Sequence, residues 1–175
     1  RPLPRSNSMA TASSLAVLTP EEKERGALLV DMGGGTTDVV GFQKGRVCYT
    51  GVIPVGGYQF TNDIAVTFNT SYEAAEEVKL AHASTEVHAS DANEEISLPV
   101  LGRDMELKVR RMEICQLARE RAQELARMIK IKLDDELAGQ SIADRLVLTG
   151  GASNMPGLAD LMQRTLTIPV RRGLP

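Results

Sequence analysis

The apolar positions of this chain fall into two regimes. Between residues 27 and 54 they come as short runs broken by turn residues: Ala27-Leu28-Leu29-Val30, Val39-Val40-Gly41-Phe42, and Val47-Cys48-Tyr49-Thr50 after the tight turn Gln43-Lys44-Gly45-Arg46. Such runs predict strands near 27–32, 36–43 and 46–54, joined as an antiparallel meander. Farther on the period lengthens. Ile114, Ala118, Ala122, Leu125, Ile129 and Leu133 recur every three or four residues with Glu and Arg opposite them, which predicts an amphipathic helix of about six turns or more. Asp144 to Thr149 reads as a buried strand. Leu158, Leu161, Met162 and Leu166 form one face of a helix, and Pro169-Val170-Arg171 reads as a last strand.

The segment between these regimes is mixed. Gly56-Gly57 interrupts the strands, and Ile64, Ala65 and Phe68 have helical spacing. Thr70-Ser71-Tyr72-Glu73 fits a capping box that opens a helix bearing Ala74, Ala75, Val78 and Leu80. Residues 82–95 are polar and read as loop, and short strands near 96–101 and 105–110 enclose Gly102-Arg103-Asp104. At the front, residues 1–9 lack periodicity and read as a disordered arm. Ala12 to Leu18 fits a short helix ended by Thr19-Pro20, and Glu21 to Gly26 a charged connection. The order is meander, insertion, helix, strand, helix, strand. It predicts an α/β fold that resembles the ribonuclease-H-like half of an actin-type fold: a mixed sheet of meander plus parallel strands, with an inserted α+β subdomain.

Composition narrows the function classes. The 175 residues carry a net charge of −3 with no dense basic tract, which argues against nucleic acid as the main partner. No run reaches membrane-spanning length and no signal peptide opens the chain. Cys48 and Cys115, with only His82 and His88 besides, make no zinc pattern; they read as reduced thiols of a cytosolic protein, buried as small hydrophobes. The chain begins with Arg1 rather than Met, as expected of a piece of something longer.

The candidate chemistry lies in Asp31-Met32-Gly33-Gly34-Gly35-Thr36-Thr37-Asp38. Three successive glycines allow unusual backbone conformations, so several N–H groups can converge on one anion. Asp31 is placed where a hydrated cation could bridge to that anion. No helix opens after the glycines, so neither a P-loop nor a dinucleotide fingerprint is present. Two readings stay open from the residues alone: a phosphate-and-metal turn between strands, or a glycine hairpin without a ligand. A second glycine cluster, Gly150-Gly151, follows the strand at 144–149, and ligands collect at the carboxyl ends of such strands.

Taken together the motifs resemble the actin superfamily. Asp31–Asp38 looks like its second phosphate motif, and Leu148-Thr149-Gly150-Gly151-Ala152-Ser153-Asn154-Met155-Pro156-Gly157-Leu158 like its adenosine motif. Val52-Ile53-Pro54-Val55-Gly56-Gly57, Thr61-Asn62-Asp63-Ile64-Ala65, Ala75-Glu76-Glu77-Val78-Lys79 and the ending Pro169–Pro175 resemble the FtsA family of bacterial cell-division proteins, from about residue 10 to the end. The resemblance covers only that family's second lobe, with subdomain IIA at 10–57 and 111–175 and IIB inserted at 58–110.

What the resemblance implies is specific. Gly33, Gly34, Gly35, Thr36 and Thr37 would donate to the phosphates of ATP, and Asp31 would hold Mg²⁺ through water. Asp38 would help position attacking water, or simply satisfy the turn. Glu76 and Lys79 would contact ribose and adenine, or form a surface ion pair. Gly150, Gly151, Ala152 and Ser153 would lie against the adenine, with Met155 over the ring. The family links FtsZ to the membrane at the division site, on the cytoplasmic face of the inner membrane, and self-associates into actin-like filaments. Its membrane contact uses a segment outside this chain. The FtsZ C-terminal tail would dock on 58–110, with Arg103, Arg110 and Arg111 as candidates; Arg110, Arg111, Arg119 and Arg121 equally fit a solvated face. The alternative is a PilM-like scaffold of type IV pilus assembly, and a sugar or acetate kinase is a more distant third. The isolated chain is expected to bind Mg-ATP weakly, to be inactive as an ATPase, and to self-associate through an unpaired apolar face.

Overall fold

The computed structural model describes residues 17–137 and 143–173. In chain order its elements are α1 (Pro20–Arg25), β1 (Ala27–Met32), β2 (Thr37–Gln43), β3 (Arg46–Ile53), α2 (Gly57–Phe68), α3 (Tyr72–His82), a 3₁₀ turn (Ala89–Asn93), β4 (Glu95–Pro99), β5 (Glu106–Arg110), α4 (Arg111–Leu137), β6 (Arg145–Thr149), a second 3₁₀ turn (Gly151–Asn154), α5 (Leu158–Leu166) and β7 (Val170–Arg172). The larger sheet has the order β3-β2-β1-β6-β7. Its first three strands are antiparallel, and β6 and β7 add parallel to β1. This is the mixed α/β sheet expected from the sequence.

Strand β1 is central and covered on both faces, which is why its sequence is a continuous apolar run rather than an alternation. Leu28, Val30 and Met32 face a large core built with α2, α4 and α5, where Phe60, Ile64, Ile114, Leu125, Ile129, Leu158 and Met162 are buried. Ala27 and Leu29 face a smaller cluster with Val17, Leu18, Val40, Phe42 and Val147. Helix α4 runs for 27 residues, about 40 Å, and buries Ala118, Ala122 and Ala126, small residues that allow close approach. Strands β4 and β5 form a separate hairpin.

Several local expectations shift. The charged stretch after Thr19 is helix α1: Thr19 accepts from the Glu22 N–H, Glu22 reciprocates to the Thr19 N–H, and Pro20 stands at the first helical position. The cap of α3 is Ser71, which accepts from the Ala74 N–H. Thr70 is buried instead, donating its hydroxyl to the Pro99 carbonyl at 2.6 Å. The polar stretch 82–95 contains a 3₁₀ turn around the buried carboxylate of Asp91. Leu80 points outward, 75% exposed. Cys115 is buried but Cys48 is exposed, because β3 is an edge strand. Two arginines assigned to a solvated face are tied inward. Arg111 bonds Asp91 at 2.7 Å and the His82 carbonyl at 3.1 Å, and Arg121 makes a bidentate pair with Asp63 at 2.7 Å on both arms. The expected arm at 1–9 and most of the expected helix at 12–18 lie outside the described residues.

Candidate functional site

The site begins where β1 and β6 end. As parallel neighbours they bring Asp31 opposite Thr149, so the turn after each strand opens on the same edge. The first turn, Gly33–Thr36, is held by three main-chain bonds. The Gly33 N–H donates to the Thr36 carbonyl at 2.9 Å, while the Gly33 and Gly34 carbonyls accept from the Gly57 and Tyr58 N–H groups at 2.9 and 2.6 Å. Docking the carbonyls on the start of α2 turns them away from solvent. Among the described residues the N–H groups of Gly34, Gly35 and Thr36 have no main-chain acceptor, and all three residues are exposed.

The glycines have different reasons. None of Gly33, Gly34 and Gly35 has a left-handed φ, contrary to the conformational argument from sequence. A methyl on Gly34 or Gly35 would meet nothing within 4 Å, so what these glycines leave is open space before the peptide. Gly56 and Gly150 are the sterically required ones. A Cβ at Gly56 would lie 2.6 Å from the Gly33 carbonyl oxygen, and one at Gly150 (φ +88°) 2.4 Å from that of Met32.

Helix α3 supplies the charged side chains. Lys79 Nζ lies 2.7 Å from Glu76 Oε2, 2.9 Å from Thr61 Oγ1 and 3.3 Å from the Gly57 carbonyl, and Thr61 donates its hydroxyl proton to Glu76. Burial pushes the Glu76 carboxyl up, but the bonds from Lys79 and Thr61 and the lysine charge outweigh it, and the group sits below its usual range.

These parts enclose a cavity of about 350 Å³ lined by Gly33, Gly34, Glu76, Lys79, Gly151, Ala152 and Met155, all predicted from sequence. Gly57 stands at its back: a methyl there would be 3.5 Å from Ala152 Cβ, 3.6 Å from Lys79 Nζ and 3.7 Å from the Gly33 carbonyl oxygen. The two glycine clusters therefore share one cleft. Sequence reasoning missed Gly57, Tyr58, Phe60, Tyr72, Leu80, Ala83, Asn154 and Pro156 as lining. Tyr58 and Tyr72 stack with centroids 5.4 Å apart. Two of only three tyrosines in the chain, Tyr58 directly after the glycine pair and Tyr72 at the start of the next helix, were a usable signal.

The other predicted residues lie around the cavity rather than on its wall. Asp31 and Asp38 face each other across the β1–β2 ladder. Burial raises the Asp38 carboxyl above its usual range, and the charge of Asp31 adds to that. Gly35 and Thr36 form the exposed tip of the turn. Thr37 is fully buried and donates its hydroxyl to the Val55 carbonyl at 2.7 Å, which commits that proton to the fold. Ser153 likewise donates its hydroxyl to the Gly150 carbonyl at 2.7 Å, closing the second turn.

Residues 28–175 match the family model described as Cell division protein FtsA. The chain is 38% identical over 164 residues to the cell division protein FtsA of Pseudomonas aeruginosa, covering 94% of this chain and 39% of that protein. It is 34% identical over 171 residues to FtsA of Escherichia coli, covering 94% and 41%. The chain thus spans about two fifths of the length of the curated relatives it matches. Among solved structures, MreB5 of Spiroplasma citri bound to ADP superposes with a TM-score of 0.77 at 22% identity, covering 94% of this chain and 54% of that one. The PilM–PilN type IV pilus biogenesis complex gives 0.66 at 25% identity, covering 87% and 37%. These structural likenesses establish the actin-like fold. With that fold, and with the family model spanning all but the first 27 residues, the chain belongs to the FtsA family of cell-division proteins.

Proposed function

We propose that the cavity binds ATP as one wall of a cleft, with the phosphates at the Gly33–Thr36 turn and the nucleoside between Glu76 and Ala152. The observation that carries this reading is the convergence of three distant segments, 33–34, 76–79 and 151–155, on one cavity. The donor set fits. The N–H groups of Gly34, Gly35 and Thr36 suit an anion, the Glu76 carboxylate suits a diol, and Ala152, Met155 and Tyr72 suit a flat apolar ring. Asp31 would hold Mg²⁺ through water, and the ion, when bound, neutralises phosphate charge. Asp38, opposite Asp31, is the candidate for positioning the attacking water.

In the longer proteins of the family this lobe would serve cell division by self-associating into actin-like filaments and linking FtsZ to the cytoplasmic face of the inner membrane. Residues 58–110 would form the inserted subdomain that receives the FtsZ tail. Arg111, just beyond that segment, is already engaged with Asp91, so Arg103 and Arg110, both exposed, are the better candidates for that contact. The family match favours this role over pilus assembly, for which the support is likeness of fold.

The 175 residues correspond to part of their relatives, so the chain by itself should bind at about millimolar rather than micromolar strength, a difference of about 4 kcal/mol. Amide-shift titration with Mg-ATP tests the reading: shifts confined to residues 33–36, 76–79 and 150–155 are expected, and Asp31→Asn should abolish the difference between titrations with and without magnesium. Shifts elsewhere, or a magnesium dependence that survives Asp31→Asn, would overturn it.

A further inference from the structure

One stretch of the cavity wall is Ala83, Met155 and Pro156. Beside it two segments distant in sequence are fastened together. The backbone becomes extended at Ala83 as α3 ends, and the next two residues, Ser84 and Thr85, are buried. The Thr85 N–H donates to the Pro156 carbonyl at 3.0 Å, and the Ser84 and Thr85 hydroxyls each approach the same oxygen at 3.3 Å. Gly157 lets the segments close up. Its φ is +77°, and a Cβ there would lie 2.6 Å from Thr85 Oγ1 and 2.7 Å from Glu86 Cγ. Among the described residues, every hydrogen bond that joins 57–110 to 145–173 ends on the Pro156 carbonyl. A single acceptor thus sets how the end of α3 sits against the turn that opens α5.

We propose that Ser84 and Thr85 are positioning residues for the nucleoside: seated on Pro156 and Gly157, they fix the width of the slot between Leu80–Ala83 and Ala152–Met155. This deepens the nucleotide reading above and rests on it. Neither residue is part of the cavity wall, so both act through the wall rather than on the ligand. A slot already held at the thickness of a flat ring is preorganised, whereas one free to widen loses part of its binding free energy in closing. The Gly33–Thr36 turn is held separately, by the start of α2, so phosphate binding should not feel the contact.

The test uses the 175-residue chain. Ser84→Ala combined with Thr85→Val removes both hydroxyls. Gly157→Asn sets a Cβ against Thr85 with a residue that tolerates a left-handed φ. Thr85→Ser keeps the hydroxyl and is the control. In both perturbed variants the affinity for Mg-ATP should fall about fivefold or more, while that for inorganic tripolyphosphate, which has no sugar or base, stays within about twofold. In amide hydrogen exchange without ligand, Thr85 should exchange about tenfold faster or more, while β1 and β6 keep their protection. Thr85→Ser should match the wild type within about twofold in each measurement. Equal losses for the two ligands, an unchanged affinity for Mg-ATP, or unchanged exchange at Thr85 would overturn the proposal. If Gly157→Asn loses protection throughout the fold, the hydroxyl variant decides. A wild-type chain that binds neither ligand removes the nucleotide reading instead, and exchange at Thr85 then decides the contact by itself.

Discussion

Gly34→Ala separates the needs of the fold from those of the ligand. A methyl at Gly34 meets no atom of the chain within 4 Å and φ there is not left-handed, so the substitution adds no clash. It also restricts the unfolded chain, which should stabilise the protein by about 0.4–1 kcal/mol. The same methyl stands in the space where a phosphate would approach the exposed N–H groups. Loss of one charge-assisted hydrogen bond is worth about 1.5–3 kcal/mol, or about a 10- to 150-fold fall in affinity. Thermal unfolding followed by circular dichroism and amide-shift titration with Mg-ATP read the two effects separately. The expected result is an unchanged or higher Tm with at least tenfold weaker binding (about 1.4 kcal/mol). Gly150→Ala is the contrast: its Cβ would sit 2.4 Å from the Met32 carbonyl at a left-handed φ, so stability should fall by about 1–3 kcal/mol together with binding. Full nucleotide affinity in the Gly34→Ala protein would refute the claim that this glycine faces phosphate.

Two further outcomes concern stability. The Glu22 carboxyl is lowered from 4.5 to about 2, chiefly by hydrogen bonding to Arg171 against the opposing effect of burial. Its stabilisation is whole above about pH 4.5 and disappears as the pH falls toward 2; Glu22→Gln should cost about 2 kcal/mol at neutral pH and flatten the urea-measured stability between those limits, and an unaltered slope would contradict the assignment. Arg111→Ala strands the Asp91 carboxylate, whose side chain is 3% exposed, at a cost of about 3–5 kcal/mol. Arg103→Ala should change the unfolding free energy by less than about 0.5 kcal/mol, so equal losses in the two variants would show that the Asp91 pair is not a buried one.

The elements that could be read from sequence are those whose signal is local. A strand covered on both faces declares itself as Leu28-Leu29-Val30, and α4 declares itself by its three-to-four spacing, because burial acts on neighbouring positions. The glycine turns were visible for the same reason. What could not be read depends on partners far along the chain. Gly56 is required by the turn at Gly33–Gly34, Thr37 gives its hydroxyl to Val55, and Arg111 answers an aspartate twenty residues earlier. The cap of α3 was misplaced by one residue because the Pro99 carbonyl, not the helix, captures Thr70. Leu80 matched the apolar period of α3 yet stands outside the core at the cavity wall; periodicity alone does not distinguish a core position from a lining one.

Helix α4 packs on α5 and β3 and also on α2, α3 and β5. An unbroken α-helix resists bending, and β5 passes into it at Arg110–Arg111 without a connecting loop. The hairpin and its two helices are therefore mounted on a stiff lever whose other arm lies along the sheet. Arg111 ties the start of that lever to the His82 carbonyl and to Asp91, and Pro54–Gly56, whose glycine abuts the Gly33–Gly34 turn, is the other strand of chain that joins the sheet to α2.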